Sequence, residues 1–242
     1  MREDDYIRVL RSCQVAGIIV ISGSHADTTA DISTYHELIA VGLPLVLING
    51  YSPSIAVPQI SDDDMAAMDQ AVAHLVGLGH QHLGLAVGPR RYVPVQRKEQ
   101  ALRTAMNRRL DGRGRVTVSN TVFSVDGGAR AAVDLLGQGV SAIICGSDLM
   151  ALGAIRAARA QGLSVPRDVS VIGCDDSALM RYTDPPLTSL RQDVELISTM
   201  AVQSLMGLIR GDTAFLGERL VRPELVIRAT TAPVRVPTAN PS

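Results

Sequence analysis

Short runs rich in Ile, Val and Leu recur along the chain, bounded by Gly, Asn or Ser: Ala16 to Ser22, Pro44 to Asn49, His82 to Gly88, Arg115 to Ser119, Ala142 to Gly146 and Val169 to Gly173. Runs of this length without polar alternation are expected of strands covered on both faces. Between them apolar residues fall at helical spacing, as at Met65, Met68, Val72 and Leu75 and again at Val194, Ile197, Ala201, Leu205 and Leu208. Strand and helix alternate, which predicts an α/β fold built on doubly wound parallel sheets.

Local chemistry sets one boundary closely. Ser147 suits an N-cap, Asp148 suits the positive start of a helix running to about Gln161, and Gly162 can take the left-handed closing conformation. Val165-Pro166 then forces an extended exit into the next strand. Leu187 to Arg191 follows Pro185-Pro186 and reads as a connector between lobes or as a surface loop. Beyond Thr230 the proline-rich segment "TAPVRVPTANPS" has no periodicity and is expected to be a disordered tail, 231–242.

The composition, 46% hydrophobic and 19% charged over 242 residues, fits a globular chain with one large core or two modest ones. Lys and Arg number 23 against 24 Asp and Glu, and this balance offers no positive field for a phosphate backbone. Cys13, Cys145 and Cys174 are too few and too scattered for a disulfide framework or zinc site, which fits a reducing cytoplasm. The charged stretch Met1 to Arg11 lacks the apolar centre of an export signal, and no run is long enough to span a bilayer, so no membrane partner is expected.

Familiar catalytic motifs fail. Gly77-Leu78-Gly79 follows a helix rather than a strand and lacks the third glycine of a dinucleotide cradle. Neither G-x-x-x-x-G-K-[ST] nor G-x-S-x-G occurs. His80 and His82 have no Cys or carboxylate at metal-site spacing and read as solvated loop residues, and His74 as a helix histidine packed on the sheet. Asp62-Asp63-Asp64 reads as a helix start favoured by the dipole. Ligands of open parallel sheets bind beyond the strands' carboxyl ends, which selects Gly23 and Ser24, Asn49, Gly88 to Arg91, Ser147 and Asp148, and Asp175 and Asp176. Hydroxyls, an amide and carboxylates suit a hydroxylated ligand. No nucleophile, base and oxyanion donor assemble, so binding without catalysis, cofactor or metal is expected.

Six blocks, "AGIIVISG", "LPLVLING", "AVAHLVGLGHQHLGLAVGP", "AIICGSDLMALGAIRAARAQGLSVPRDVSVIGCDDS", "PPLTSLRQ" and "RPELVIRAT", stand in the order seen in LacI/GalR-family repressors, and the resemblance runs from about Arg2 to Thr230. It implies a type I periplasmic-binding-protein-like core of two doubly wound subdomains that dimerises and holds an effector in its cleft: 1–88 with 190–214, and 89–189 with 215–230. The family's N-terminal helix-turn-helix domain, through which operator DNA is read, and its hinge helix have no counterpart here. Met1 aligns after the first strands of the N-terminal subdomain, leaving that lobe incomplete on this reading. Effector binding would favour one orientation of the lobes.

Position by position, Asp175 matches the carboxylate that grips effector hydroxyls, and Ser147 stands where Asn is commoner. Lys98 aligns with a position usually held by Arg, and Phe123 with an aromatic on the ligand face. Tyr92 lies in the neighbouring variable loop, and Ser24 and Asn49 complete the candidate set. The alternatives are a solvated helix face for Lys98 and a core position for Phe123. The implied effector is a sugar, nucleoside or sugar phosphate. The alternative is an extracytoplasmic solute-binding protein of the same architecture.

Overall fold

Leu45 to Ile48, with every residue buried, shows why these apolar runs become inner strands. Leu45 and Leu47 pack with Ile18, Tyr35 and Leu38 on one side of their sheet, while Val46 and Ile48 pack with Ile60, Ile197 and Ala201 on the other. Successive strand side chains point to opposite faces, so a run apolar at every position must be covered twice. The computed structural model describes residues 3–212 and 216–234.

In chain order the elements are α1 (Glu3–Ser12), β1 (Ile18–Ile21), α2 (Ser33–Ala40), β2 (Leu45–Ile48), β3 (Pro58–Asp62), α3 (Asp64–Gly77), β4 (His82–Val87), α4 (Val93–Leu110), β5 (Arg115–Asn120), α5 (Val125–Gly137), β6 (Ala142–Cys145), α6 (Asp148–Ala160), β7 (Ser170–Asp175), β8 (Thr188–Arg191), α7 (Val194–Arg210), β9 (Gly217–Val221) and β10 (Glu224–Val226). They form two compact units, residues 1–63 with 91–94 and 193–222, and residues 64–90 with 95–192 and 223–242. The first holds a four-stranded parallel sheet in the order β1-β2-β3-β9. The second holds a six-stranded sheet, β10-β8-β7-β6-β4-β5, parallel except where β10 runs against β8. The expected α/β class with parallel sheets is what the chain adopts.

The grouping of elements differs from the sequence expectation. Residues 64–88, α3 and β4, belong to the second unit, because β4 lies between β5 and β6. Residues 217–221, expected in the second subdomain, form β9 beside β3 in the first. The segment after Pro185-Pro186 is neither a connector nor a loop: Thr188–Arg191 is an inner strand paired with β7 and β10. β3 went unseen because Pro-Gln-Ile-Ser-Asp looks polar, yet all five residues are buried. Its Gln59 amide is satisfied by Ser52 N–H, Ser52 C=O and Ile55 C=O at 2.8–2.9 Å, which makes the burial tolerable.

The tail also departs from expectation in its first residues. The Ala232 amide donates to Ser170 Oγ, Val234 N–H donates to Leu78 C=O, and Thr231 Oγ1 meets His74 Nε2 at 2.9 Å, so 231–234 are fixed. Residues 235–242 of the expected tail lie outside the described residues, as do positions 213–215 around the expected subdomain boundary.

Candidate functional site

Four of the seven candidate residues, Lys98, Phe123, Ser147 and Asp175, belong to the second unit, and three, Ser24, Asn49 and Tyr92, to the first. In the six-stranded sheet Gly88, Gly146 and Asp175 stand at or just after the carboxyl ends of β4, β6 and β7, and Phe123 stands three residues beyond β5. Phe123 is 46% exposed, so it is not a core residue. Its ring lies across Gly88 and Gly146, where a Cβ on Gly88 would fall 2.1 Å from Phe123 Cε2. Glycine at 88 is what lets the ring approach these strand ends so closely.

Lys98 is buried rather than solvated, and its Nζ stands 2.5 Å from Asp64 Oδ1. The sequence assigned Asp64 only to a helix start. It does open α3, but it also supplies the counter-charge that lets a lysine sit in the interior. A partner 34 residues away on another helix leaves no spacing signal. Ser147 caps α6 as expected, accepting Met150 N–H at 3.3 Å.

Asp175 accepts from Gln192 Nε2 at 2.8 Å, a partner unrecognised within "PPLTSLRQ". Beside it Asp176 is clamped between Arg191 Nε at 2.9 Å and Arg228 NH1 at 2.6 Å. Burial pushes the Asp176 carboxyl up, and hydrogen bonding to Arg228 and Arg191 more than reverses this, leaving it below the usual carboxylate range.

In the first unit, Ser24 N–H donates to Glu3 Oε2 at 2.8 Å. Asn49, at a φ of 62°, donates from Nδ2 to Ser22 Oγ at 2.7 Å, joining the ends of β1 and β2. Tyr92 forms an antiparallel bridge with Asp27, and the Arg91 guanidinium lies 4.9 Å from its ring centroid while its Nε pairs with Asp27 at 2.7 Å. His25, to which the sequence gave no role, is buried with Nε2 3.2 Å from Ile48 C=O, and burial lowers its pKa.

The two histidines read as solvated loop residues are held instead. His80 is buried, with Nδ1 2.9 Å from Ser141 Oγ and Nε2 3.1 Å from both Ser170 Oγ and Ala232 C=O. His82 meets Gly139 C=O and Thr117 Oγ1 at 3.1 and 2.9 Å. Among the described residues no group of three His, Cys, Asp or Glu could hold a metal, and no helix is long and apolar enough to cross a membrane.

An α/β core with parallel sheets, whose strand ends carry polar and aromatic groups, defines a ligand-binding class of open-sheet protein. Residues 72–231 match the family described as periplasmic binding protein-like domain. The chain is 48% identical over 234 residues to the HTH-type transcriptional regulator MalR of Streptomyces coelicolor, covering 95% of this chain and 68% of the relative. A dimeric lac repressor structure matches with a TM-score of 0.81 at 27% identity, over 95% of this chain and 82% of that one. A complex of the transcriptional regulator CelR with cellobiose matches at 0.82 and 28%, over 94% and 69%. The chain belongs to the LacI family of transcriptional regulators, as part of its effector-binding core, and stands among regulators rather than enzymes.

Proposed function

We propose that this chain senses a small, hydroxyl-rich effector, sugar-like in chemistry, and passes its occupancy to operator DNA through an N-terminal helix-turn-helix domain, as a cytoplasmic repressor. The observation that carries this reading is the set at the strand ends of the six-stranded sheet, the Phe123 ring over Gly88 and Gly146 and the Asp175–Gln192 pair, with the buried Lys98–Asp64 pair in the same unit. An aromatic face suits the C–H side of a sugar ring, and a carboxylate accepts from neighbouring hydroxyls. The cellobiose held by CelR, a relative of the same fold, supports this chemistry. Ser147 of the same unit is the further polar contact we assign to the effector. Occupancy acts by favouring the conformational state that binds the effector more tightly.

The same reading makes the chain a homodimer. Leu149 at the start of α6 and Leu179 and Tyr182 after β7 are large apolar residues left exposed in the second unit, the kind of surface a partner subunit covers. Thermal shift against sugars, nucleosides and sugar phosphates, followed by calorimetry of each hit, tests the effector assignment, since selective binding raises stability by mass action. Asp175→Ala should weaken a hit at least tenfold. Undiminished affinity would remove Asp175 from the site.

A further inference from the structure

Asp175 and Asp176 close β7 with consecutive positive φ angles, 114° and 52°. Non-glycine residues rarely hold that conformation, and two in succession persist only where the surroundings impose it. Two sets of contacts do so here. Asp176 is fixed through its side chain by Arg191 and Arg228. The backbone around it is fixed by a residue from another element: Asp148, 2% exposed in the first turn of α6.

Asp148 Oδ2 accepts the Ser177 N–H at 2.8 Å and the Ser177 hydroxyl at 2.7 Å, and Oδ1 accepts the Ser189 hydroxyl at 2.6 Å. Ser189 Oγ in turn accepts the Asp176 N–H at 3.1 Å. The acid thus reaches both amides that follow Asp175, one directly and one through a hydroxyl. Space for it comes from Gly173, where a Cβ would lie 2.5 Å from Asp148 Oδ1. This carboxylate is almost wholly buried, and of its three bonds two go to Ser177 in the turn and one to Ser189 of β8, which carries the link on to the Asp176 amide.

We propose that Asp148 is a positioning residue: acting through Ser177 and Ser189, it holds the left-handed turn that presents the Asp175 carboxylate to the effector. The inference rests on the reading of Asp175 as an effector contact. Asp148→Asn tests it with almost no change of volume. An amide must turn its NH₂ toward at least one of the three donors, and the Ser177 N–H, unlike a hydroxyl, cannot rotate to accommodate it.

Calorimetry with cellobiose, maltose and D-ribose would be run beside amide hydrogen exchange on the wild-type chain and on variants D148N, S177A and S177T. Expected in D148N are exchange at least tenfold faster at Asp176 and Ser177, and an affinity at least tenfold weaker for whichever sugar binds, with an unchanged far-ultraviolet circular dichroism spectrum. S177A should weaken binding a few-fold, and S177T, which keeps the hydroxyl, should restore it. Unchanged exchange at the two amides overturns the proposal, as does an affinity within twofold of wild type once they have loosened. If D148N fails to fold, S177A against S177T decides: equal affinities overturn the proposal. If no sugar binds the wild-type chain, the sugar reading fails on its own. The positioning role is then judged by exchange and by the carbon-13 shift of the Asp175 carboxyl, and an unmoved shift in D148N overturns it.

Discussion

At the ends of the four-stranded sheet, Ser24 N–H and the Tyr35 hydroxyl both donate to Glu3, a half-buried carboxylate on a helix that precedes that sheet in the chain. At the ends of the six-stranded sheet the organising acids, Asp64, Asp148 and Asp176, are themselves shielded from solvent and meet lysine, serine or arginine partners. The sheets differ in the same sense. In the larger one β4, β6 and β7 are inner strands of nearly complete burial, whereas in the smaller one β1 is an edge whose Ile21 is 67% exposed. The acids that organise these strand ends are therefore buried in one unit and half-exposed in the other. A buried charge that loses its partner keeps its desolvation cost, whereas a half-exposed group that loses one is rescued by water.

The largest expected effect follows from that asymmetry. Lys98→Met leaves Asp64 buried without its ammonium, and should lower the unfolding free energy by about 3 kcal/mol. Adding Asp64→Asn should recover a large part of the loss, because the double variant buries no charge. Urea denaturation of the two single variants and the double variant checks the cycle. Additive losses would show that the pair is solvated in the folded chain and would erase the contrast with the smaller unit.

Legibility in the sequence follows burial and the distance of the partner, not the unit. Inner strands of the larger sheet, such as Ala142–Cys145, were readable because burial on both faces demands apolar residues at every position. The α6 cap was readable because Ser147 and Asp148 act on their own helix. Strands β3 and β8 were not, since their polar letters, Gln59, Ser61, Thr188 and Ser189, are buried, and the strands that cover them on one side, β9 beside β3 and β10 beside β8, come from far along the chain. Asp64 opposite Lys98, Gln192 on Asp175 and His80 between Ser141 and Ser170 share that property: each partner is supplied by tertiary structure. Asp175 was readable from its place at a strand's carboxyl end as well as by resemblance, Phe123 by resemblance alone, and only the fold lays the Phe123 ring across two glycines.

In the smaller unit, Glu3→Gln should cost about 1 kcal/mol, since one amide oxygen replaces two charged acceptors for Ser24 N–H and the Tyr35 hydroxyl. The comparison is sharpened if this loss stays below that of Lys98→Met by denaturant midpoint, and broken if it exceeds it.

A gentler perturbation is acid. Burial lowers the pKa of His80, and the neutral ring suits its site, with Nε2–H donating to Ala232 C=O and Nδ1 accepting the Ser141 hydroxyl. A histidine whose folded pKa lies below 6.5 takes its proton first in the unfolded chain. Its contribution is therefore complete above about pH 7 and declines as pH falls through the unfolded value. His74 and His82 are lowered in the same direction. Urea midpoints at pH 8, 6 and 5 should fall together with pH, and His80→Gln should flatten the acid limb only in part. An undiminished slope would mean that His80 is not the group being protonated.

The smallest effect belongs to the edge strand. Ile21 ends β1, pairs with Ile48 in the register of the sheet, and leaves two thirds of its surface exposed. Its backbone bonds to β2 do not depend on the side chain, and little apolar area would be returned to water by a smaller polar one. Ile21→Thr, which keeps a β-branched residue in the strand, should change stability by no more than about 0.5 kcal/mol. The same substitution one strand inward, Ile48→Thr, buries a hydroxyl and removes core contact, and should cost about 2 kcal/mol. Denaturation of the pair reads whether the covered part of this sheet begins at β2. Equal losses would mean that Ile21 is buried in solution by something other than its own unit, and the peripheral character assigned to that end of the sheet would be wrong.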